Sequence, residues 1–315
     1  MKKILVIGAL GQIGSELAAA FNERYGKENI IVADVADDKN KLFPGNIFEK
    51  IDVTDSDSIE AAIKRHGIDT IVNLAAILSA TGEKNPALAW KINIDGLLNV
   101  IHSGIKYKLD RIMVPSSIAV FGPQSVLYNT PQDTVLVPNT MYGVTKVVGE
   151  MLGDYYFKKT GLDFRGIRYP GVISNKTMPG GGTTDYAVEI FYEAVKNKKY
   201  TCFLSAESCL PMIYMPDCIR ATIMLLEADR SKLRHCGNYN VGAMSFTPEI
   251  LADEIKKHIP EFTIDYRPDF RREIARYWPA SVDDSAARAE WGWQPEWDLP
   301  HTVADMLGTI GSRNL

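Results

Sequence analysis

Cysteine and histidine are scarce in this 315-residue sequence, which has four cysteines and five histidines. Zinc sites and disulfide-rich domains need clusters of these residues at short, regular spacings. The cysteines lack the Cys-x-x-Cys spacing that such sites use; they are Cys202, Cys209, Cys218 and Cys236. We therefore expect reduced thiols that fill small apolar spaces, and no bound metal.

Long hydrophobic runs and clusters of basic residues are also missing. The apolar stretches at 4–10 and 71–78 are far shorter than the ~20 residues that cross a bilayer, so we expect no membrane span. Lysine and arginine are scattered and the net charge is −4, which argues against nucleic acid as a partner. Because residues 3–7 already read as a core strand, a cleavable leader is not expected, and the sequence predicts a cytoplasmic protein.

Short β-branched runs alternate with longer helical patterns through the first half of the chain. The strand-like runs cover 3–7, 30–33, 70–73 and 111–115, and a further strand is expected at 164–168. Helical patterns lie between them, which predicts an α/β protein with a doubly wound parallel sheet. We expect a core over 1–175 with returning segments within 200–258, and a small C-terminal substrate-binding lobe and lid over 176–199 and 259–315.

Three glycines follow the first strand directly and open the first helix. Gly8, Gly11 and Gly14 are spaced three residues apart, with Gln12 and Ile13 between the last two. Such glycines permit a tight turn and a close backbone approach to a pyrophosphate, which then lies at the amino end of the helix. An isolated trio would indicate no more than a tight turn. Its position after a strand favours a Rossmann-type dinucleotide site.

Asp34 ends the second strand, and it indicates which dinucleotide the site would bind. A carboxylate there accepts hydrogen bonds from the adenine ribose and repels a 2′-phosphate, so the sequence predicts NAD as the cofactor. Two weaker groups follow the third and fourth strands, and for each of them strand-end capping is an equal alternative. They are Asp52 and Val53 after the third strand, and Leu74, Ala75 and Ala76 after the fourth.

Tyr142 and Lys146 lie one helical turn apart and so on one face of a helix. A phenol has an ordinary pKa of about 10, and a nearby ammonium stabilises its phenolate form. Ser116 and Ser117 follow the strand at 111–115, so they reach the same edge of the sheet. At these residues the chain resembles the extended short-chain dehydrogenase/reductase superfamily. The resemblance implies catalytic roles for Ser117, Tyr142 and Lys146, with Ser116 as the alternative serine, and a cofactor contact for Tyr169.

The segments 168–174 and 179–187 resemble, more narrowly, the family of short-chain L-threonine 3-dehydrogenases. Gly180 allows close backbone approach, and Thr183 and Thr184 offer hydroxyls at a helix start suited to a small carboxylate; a hinge and a helix cap are the alternatives. The resemblance adds Ser79 and Trp278 as substrate contacts, where a loop serine and a lid-packing aromatic are nearly as plausible. It implies NAD-dependent oxidation of L-threonine at C3 to 2-amino-3-oxobutanoate.

Two other functions are compatible with these motifs. A nucleotide-sugar 4-epimerase or dehydratase shares these motifs, and Arg267, Arg271 and Arg272 are available to bind its diphosphate. A non-catalytic NAD-sensing protein would keep the nucleotide fold without the chemistry.

The helices expected at 86–107 and 142–159 are apolar on more than one face, which predicts a homodimer that packs through them.

Overall fold

The computed structural model describes residues 1–178 and 180–313. Pro179, the first residue of the predicted glycine-rich run, lies outside the described residues. In chain order the strands are β1 (Ile4–Ile7), β2 (Ile30–Asp34), β3 (Ile47–Lys50), β4 (Thr70–Asn73), β5 (Arg111–Met113), β6 (Ser116–Ser117), β7 (Asp163–Arg165), β8 (Ile167–Tyr169), β9 (Gly171–Ile173), β10 (Lys199–Cys202), β11 (Leu210–Tyr214), β12 (Tyr239–Asn240), β13 (Met244–Phe246) and β14 (Thr263–Tyr266).

The α-helices alternate with these strands through the first half of the chain and dominate its end. A π-helical turn, Lys91–Asp95, joins the fourth helix to the fifth. In chain order the helices are α1 (Gln12–Tyr25), α2 (Ser56–His66), α3 (Ser79–Lys84), α4 (Pro86–Trp90), α5 (Gly96–Lys106), α6 (Met141–Thr160), α7 (Tyr186–Asn197), α8 (Met215–Glu227), α9 (Pro248–Lys256), α10 (Phe270–Ala275), α11 (Ser285–Trp291) and α12 (Leu299–Gly311).

Six parallel strands form the main sheet, in the order β3-β2-β1-β4-β5-β7. Strand β1 lies at the centre, with Ile4 opposite Ile30 on one side and Thr70 on the other. The strand order runs in opposite directions on the two sides of β1, so the carboxyl ends of β1 and β4 open a crevice between them. The expected α/β Rossmann-type fold is confirmed.

Helices cover both faces of this sheet. Successive side chains of a strand point to opposite faces, so Val6 packs with α1 and α8, whereas Leu5 packs with α2 and α5. All four β1 side chains are buried. This double burial explains why the strands read as continuous apolar runs rather than as alternating ones.

The expected strand at 164–168 is two strands in the structure. β7 extends the main sheet, whereas β8 pairs with β6 and β12 in a second sheet. The break falls at Gly166, where a Cβ atom would lie 2.5 Å from the Val114 carbonyl oxygen and 2.6 Å from that of Gly237. Two neighbouring backbones therefore approach too closely there for any side chain, and the chain changes sheets at the one residue that has none.

The second half of the chain adds strands beside β8 and β9. β11 pairs with β9 and with β13, and β12 pairs with β8. A separate core packs α7, α9 and α12 together, whereas Trp291 and Trp293 pack with α1 and α8. The described residues from 259 to 313 thus contribute to both of these cores, and the division into a core over 1–175 and a lid over 259–315 stays a prediction. No helix among the described residues has the length and apolar character to span a membrane.

Arg165 joins β7 to the end of α8. Its guanidinium is buried, pairs with Asp163 at 2.7 Å, and donates to the carbonyl oxygens of Leu226 at 3.1 Å and Ala228 at 2.8 Å. These carbonyls lie at the end of a helix, where no intrahelical donor remains for them. One side chain therefore connects the main sheet to the helix that covers it.

We expect Arg165→Met to lower the free energy of unfolding by about 2–4 kcal/mol. The substitution removes the close hydrogen bonds to the buried Asp163 carboxylate, which keeps only longer contacts with Arg230 at 3.6 Å and Arg111 at 3.9 Å. It also removes the donor to the Ala228 carbonyl oxygen. Urea denaturation followed by circular dichroism measures this loss of stability. The matched control is Arg24→Met, which removes an exposed ion pair with Glu227 and should cost no more than about 1 kcal/mol. Equal losses in the two variants would contradict the role assigned to Arg165.

Candidate active site

The glycine loop after β1 is shaped by close backbone contacts. Gly8 has a φ of +80°, and a Cβ there would lie 2.9 Å from the amide nitrogen of Ala75 at the end of β4. A Cβ on Gly14 would lie 2.2 Å from the Gly8 carbonyl oxygen. Helix α1 can therefore start directly behind β1 only with glycine at these positions, and its first amides face the crevice. The loop fits a dinucleotide pyrophosphate.

Asp34 lies at the end of β2 beside this loop. Its Oδ2 accepts from the Leu10 amide at 3.1 Å, and its Oδ1 accepts from the Ala36 amide at 3.1 Å. Both bonds hold the carboxylate at the mouth of a cavity of about 350 Å³. The other predicted residues around this cavity are Gly8, Gly11, Asp52, Val53, Leu74, Ala75 and Ala76. This arrangement fits the adenosine half of NAD.

Helix α6 carries the predicted tyrosine and lysine. Thr140 caps the helix by accepting from the Gly143 amide at 3.0 Å. A Cβ on Gly143 would lie 2.2 Å from the Ala119 carbonyl oxygen, so this glycine lets the first turn pack onto the turn that follows β6. That packing places Tyr142 beside Ser117, the last residue of β6.

Tyr142 and Lys146 lie on the side of α6 that faces β6. Burial raises the pKa of Tyr142 to about 12, and the adjacent Ser117 hydroxyl opposes this rise. Burial lowers the pKa of Lys146 to about 8, and the negative charge of Glu150 opposes that fall. The Lys146 ammonium donates to the Pro115 carbonyl oxygen at 2.7 Å and lies 5.4 Å from the centre of the Tyr142 ring.

The two candidate serines point in different directions. Ser116 is buried and donates to the Glu150 carboxylate at 2.5 Å. The Ser117 hydroxyl accepts from the Ala119 amide at 3.2 Å and is near enough to Tyr142 to influence its pKa. The geometry therefore favours Ser117 as the serine that meets a substrate, with Ser116 as a support beneath it.

A buried ion pair between Glu150 and Arg168 lies next to Ser116. Glu150 accepts from Arg168 at 2.8 and 2.9 Å, and Arg168 also donates to the Gln132 carbonyl oxygen and to the Asn240 side chain. The sequence pattern did not single out Glu150. Its spacing of four residues from Lys146 was the available signal, since that spacing puts both side chains on one face of α6.

A second cavity, of about 500 Å³, continues from the glycine loop to Tyr142, and we call it the cleft. The predicted residues that line it are Gly8, Gly11, Gln12, Ile13, Gly14, Leu74, Ala76, Ser79, Ser116, Ser117, Tyr142, Lys146, Tyr169, Gly180, Thr183, Thr184 and Trp278. The structure therefore brings the nucleotide loop, the catalytic candidates and the substrate candidates to one opening. Asp34, Asp52, Val53 and Ala75 line the neighbouring cavity instead.

The substrate candidates lie at the far end of the cleft. The Ser79 and Thr183 hydroxyls are buried and 3.1 Å apart. Trp278 is also buried, and its indole nitrogen has no hydrogen-bond partner among the described residues. The Tyr169 hydroxyl bonds to Thr222, away from the cleft, so only other atoms of this residue can meet a cofactor. Gly180 is exposed at the rim.

Further residues line the cleft that the sequence analysis did not select. They include Thr177, Met178 and Asp185 from the segments beside the glycine-rich run, and Leu78, Thr81 and Pro170 from other parts of the chain. Gln12 donates to the Thr177 carbonyl oxygen at 3.5 Å, which connects this wall to the nucleotide loop. The positions of these residues depend on how distant loops pack together, so a local sequence pattern could not predict them.

The chain belongs to the NAD-dependent epimerase/dehydratase family, whose model matches residues 4–242. An uncharacterized epimerase/dehydratase of Staphylococcus aureus strain USA300 is 45% identical, with 100% of this chain and 98% of the relative aligned. The cofactor of this chain is therefore NAD, in agreement with the glycine loop and Asp34.

Solved structures narrow the similarity. The holo form of a GalE-like L-threonine dehydrogenase from Cupriavidus necator is 50% identical, with a TM-score of 0.96 over 98% of this chain and 99% of that one. A monomeric L-threonine 3-dehydrogenase from a metagenome is 47% identical, with a TM-score of 0.95 over 98% of each chain. A UDP-glucose 4-epimerase of Thermotoga maritima, 21% identical with a TM-score of 0.84 over 98% of each chain, shares the fold.

We expect Gly14→Ala to weaken NAD binding by about ten-fold or more, because the added methyl would displace the Gly8 carbonyl and with it the pyrophosphate loop. Fluorescence titration with NADH measures this. Gly308→Ala is the control, since a Cβ there, also on a helix, meets no atom within 4 Å. Unchanged affinity in Gly14→Ala would contradict the placement of the pyrophosphate.

Proposed function

We propose that this enzyme uses NAD to oxidise L-threonine at C3, giving 2-amino-3-oxobutanoate. The observation that carries the proposal is the single cleft that joins the nucleotide loop, the Ser117–Tyr142–Lys146 group and the Ser79–Thr183 hydroxyl pair. The similarity to L-threonine dehydrogenases at 47–50% identity supports the choice of substrate.

In the proposed complex, the substrate β-hydroxyl lies between Ser117 and Tyr142, and the substrate carboxylate lies toward Thr183 and Thr184. The two threonines come just before α7, so their hydroxyls are available to an anion at the start of this helix. Trp278 closes the apolar side of the space.

Tyr142 takes the hydroxyl proton as general base. Its raised pKa means that the phenol is protonated at neutral pH in the free site, so the phenolate needs nearby positive charge. Lys146 supplies one such charge, and Ser117 donates to the substrate oxygen as negative charge develops on it. When bound, NAD accepts the hydride and adds the positive charge of its nicotinamide ring to the site.

The nucleotide-sugar alternative is less well supported by the charges around the cleft. Among the described residues that line it, Lys146 is the one cation, and it lies at the catalytic end. The arginines that favoured a diphosphate are placed elsewhere. Arg271 pairs with Asp269 and stacks on Phe203, and Arg272 pairs with Glu273. A large dianionic substrate would thus lack basic partners here.

We expect Tyr142→Phe to lower kcat by about 10²- to 10⁴-fold while NAD affinity stays within a factor of about two, because the variant loses the base and keeps the ring. The assay follows NADH absorbance with L-threonine, and UDP-glucose and UDP-galactose are tested in parallel. Sugar interconversion without threonine oxidation would support the epimerase. A wild-type protein that binds NAD but shows neither activity would support the NAD sensor.

We also propose a homodimer that packs through the helices at 86–107 and 142–159. Val144, Met151 and Tyr155 lie at spacings of seven and four residues on α6, and all three are exposed, Met151 at 67%. Leu88 and Trp90 are exposed on α4, which packs against α6. Together they form an apolar face of the kind that subunit interfaces cover.

We expect the wild-type protein to have twice the chain mass by light scattering, and Met151→Lys to shift it toward the monomer, because a buried lysine at the interface is costly. Ile250→Lys is the control, since Ile250 is exposed on α9, away from this face. A wild-type monomer would overturn the assembly without affecting the catalytic proposal.

A cytoplasmic location is proposed from the thiols. All four cysteines are unpaired, and three of them are buried, so none depends on an oxidising compartment. Burial raises the pKa of the Cys202 thiol to about 11, which makes it unreactive. These cysteines behave as small apolar side chains.

A further inference from the structure

Asp185 places a carboxylate on the wall of the cleft. It follows Thr183 and Thr184 and directly precedes α7. Its Oδ2 accepts from the Gly181 amide at 2.9 Å and from the Gly182 amide at 2.7 Å. The loop therefore holds one oxygen of this carboxylate and fixes the orientation of the other.

The second oxygen, Oδ1, makes no hydrogen bond to the described residues. A Cβ on Gly182 would lie 2.6 Å from it, so the glycine keeps the space beside this oxygen open. An acceptor with one oxygen anchored and the other uncovered inside a cleft is suited to a cationic donor.

Among the described charged residues that line the cleft, Asp185 is the one that can accept from a cationic group. Among the described residues that line the cleft, it is the one carboxylate, and Lys146 is the one cation. Glu189 on α7 and Arg271 on α10 act on it from outside the cleft with opposite signs. Burial raises the pKa of Asp185 to about 6, so the group is ionised at neutral pH but close to its titration range.

We propose that Asp185 Oδ1 binds the α-ammonium group of the substrate, and that this contact selects α-amino acids over hydroxy acids that lack the amine. The inference rests on the proposed function and names the group that recognises one part of its substrate. In this arrangement the threonine hydroxyls face the substrate carboxylate, and Asp185 faces the ammonium. A zwitterion is thereby bound at both charges, with its side-chain hydroxyl left to reach Tyr142.

The test compares two ligands that differ in the amine. L-2-aminobutyrate keeps the ammonium of threonine and lacks its hydroxyl, whereas butyrate lacks both. Calorimetric or ligand-observed NMR titration of the NAD-loaded enzyme gives their affinities without turnover. We expect Asp185→Asn to weaken L-2-aminobutyrate by about 10- to 100-fold and to leave butyrate within about two-fold, because the amide keeps the loop bonds but carries no charge.

The pH dependence provides a second readout. Between pH 5 and 7 the wild-type affinity for L-2-aminobutyrate should rise as Asp185 ionises, since the ligand remains an ammonium throughout. In Asp185→Asn the affinity should stay flat. Glu193→Gln is the control, because that carboxylate also lies on α7 but accepts from the Asn197 side chain at 2.7 Å and is not among the charges that act on Asp185; it should keep the wild-type profile.

The outcomes separate the two proposals. Wild-type protein that fails to oxidise L-threonine overturns the proposed function. Wild-type protein that oxidises L-threonine, with Asp185→Asn weakening both ligands equally or neither, overturns the inference alone and leaves Asp185 as a brace for the glycine loop.

Discussion

The buried ion pair between Glu150 and Arg168 is the interaction on which the site depends. The two side chains are 6% and 2% exposed, so each charge has lost nearly all of its water. Such a pair is tolerated when hydrogen bonds satisfy its remaining atoms, and Ser116, Gln132 and Asn240 do so here. Because these partners come from β6, the 132 region and β12, the pair fixes α6 against the strands. Tyr142 and Ser117 meet because of that constraint.

The same pair acts on the chemistry through charge. Lys146 lies one turn before Glu150, and burial alone lowers the lysine pKa. The carboxylate opposes this fall and so favours the ammonium that a phenolate at Tyr142 requires. Arg168 fixes the orientation of the Glu150 carboxylate through two hydrogen bonds. A network that anchors the fold therefore also sets the charge state of the site, although none of its members needs to touch the substrate.

Local patterns were sufficient for the features that depend on neighbouring residues. The glycine loop, Asp34 and the Tyr142–Lys146 spacing each lie within one strand, turn or helix, and the parallel fold followed from the alternation of elements. The choice between Ser116 and Ser117 was not accessible in this way, because it depends on Glu150, 34 residues further along. The break at Gly166 was missed for the same reason: it reflects two distant backbones that crowd one residue.

The nucleotide half and the substrate half of the cleft differ in how they are built. The glycine loop is shaped by β1, β4 and α1, elements that an epimerase of 21% identity shares in the same fold. The substrate wall is formed by Ser79, by described residues at 177–178, 180 and 182–185, and by Trp278, which meet from three distant parts of the chain. The fold therefore accounts for NAD, whereas discrimination between an amino acid and a nucleotide sugar rests on that wall. Asp185 is the one charged side chain among the described residues of that wall, and a carboxylate there suits a ligand that carries an ammonium group and repels a diphosphate.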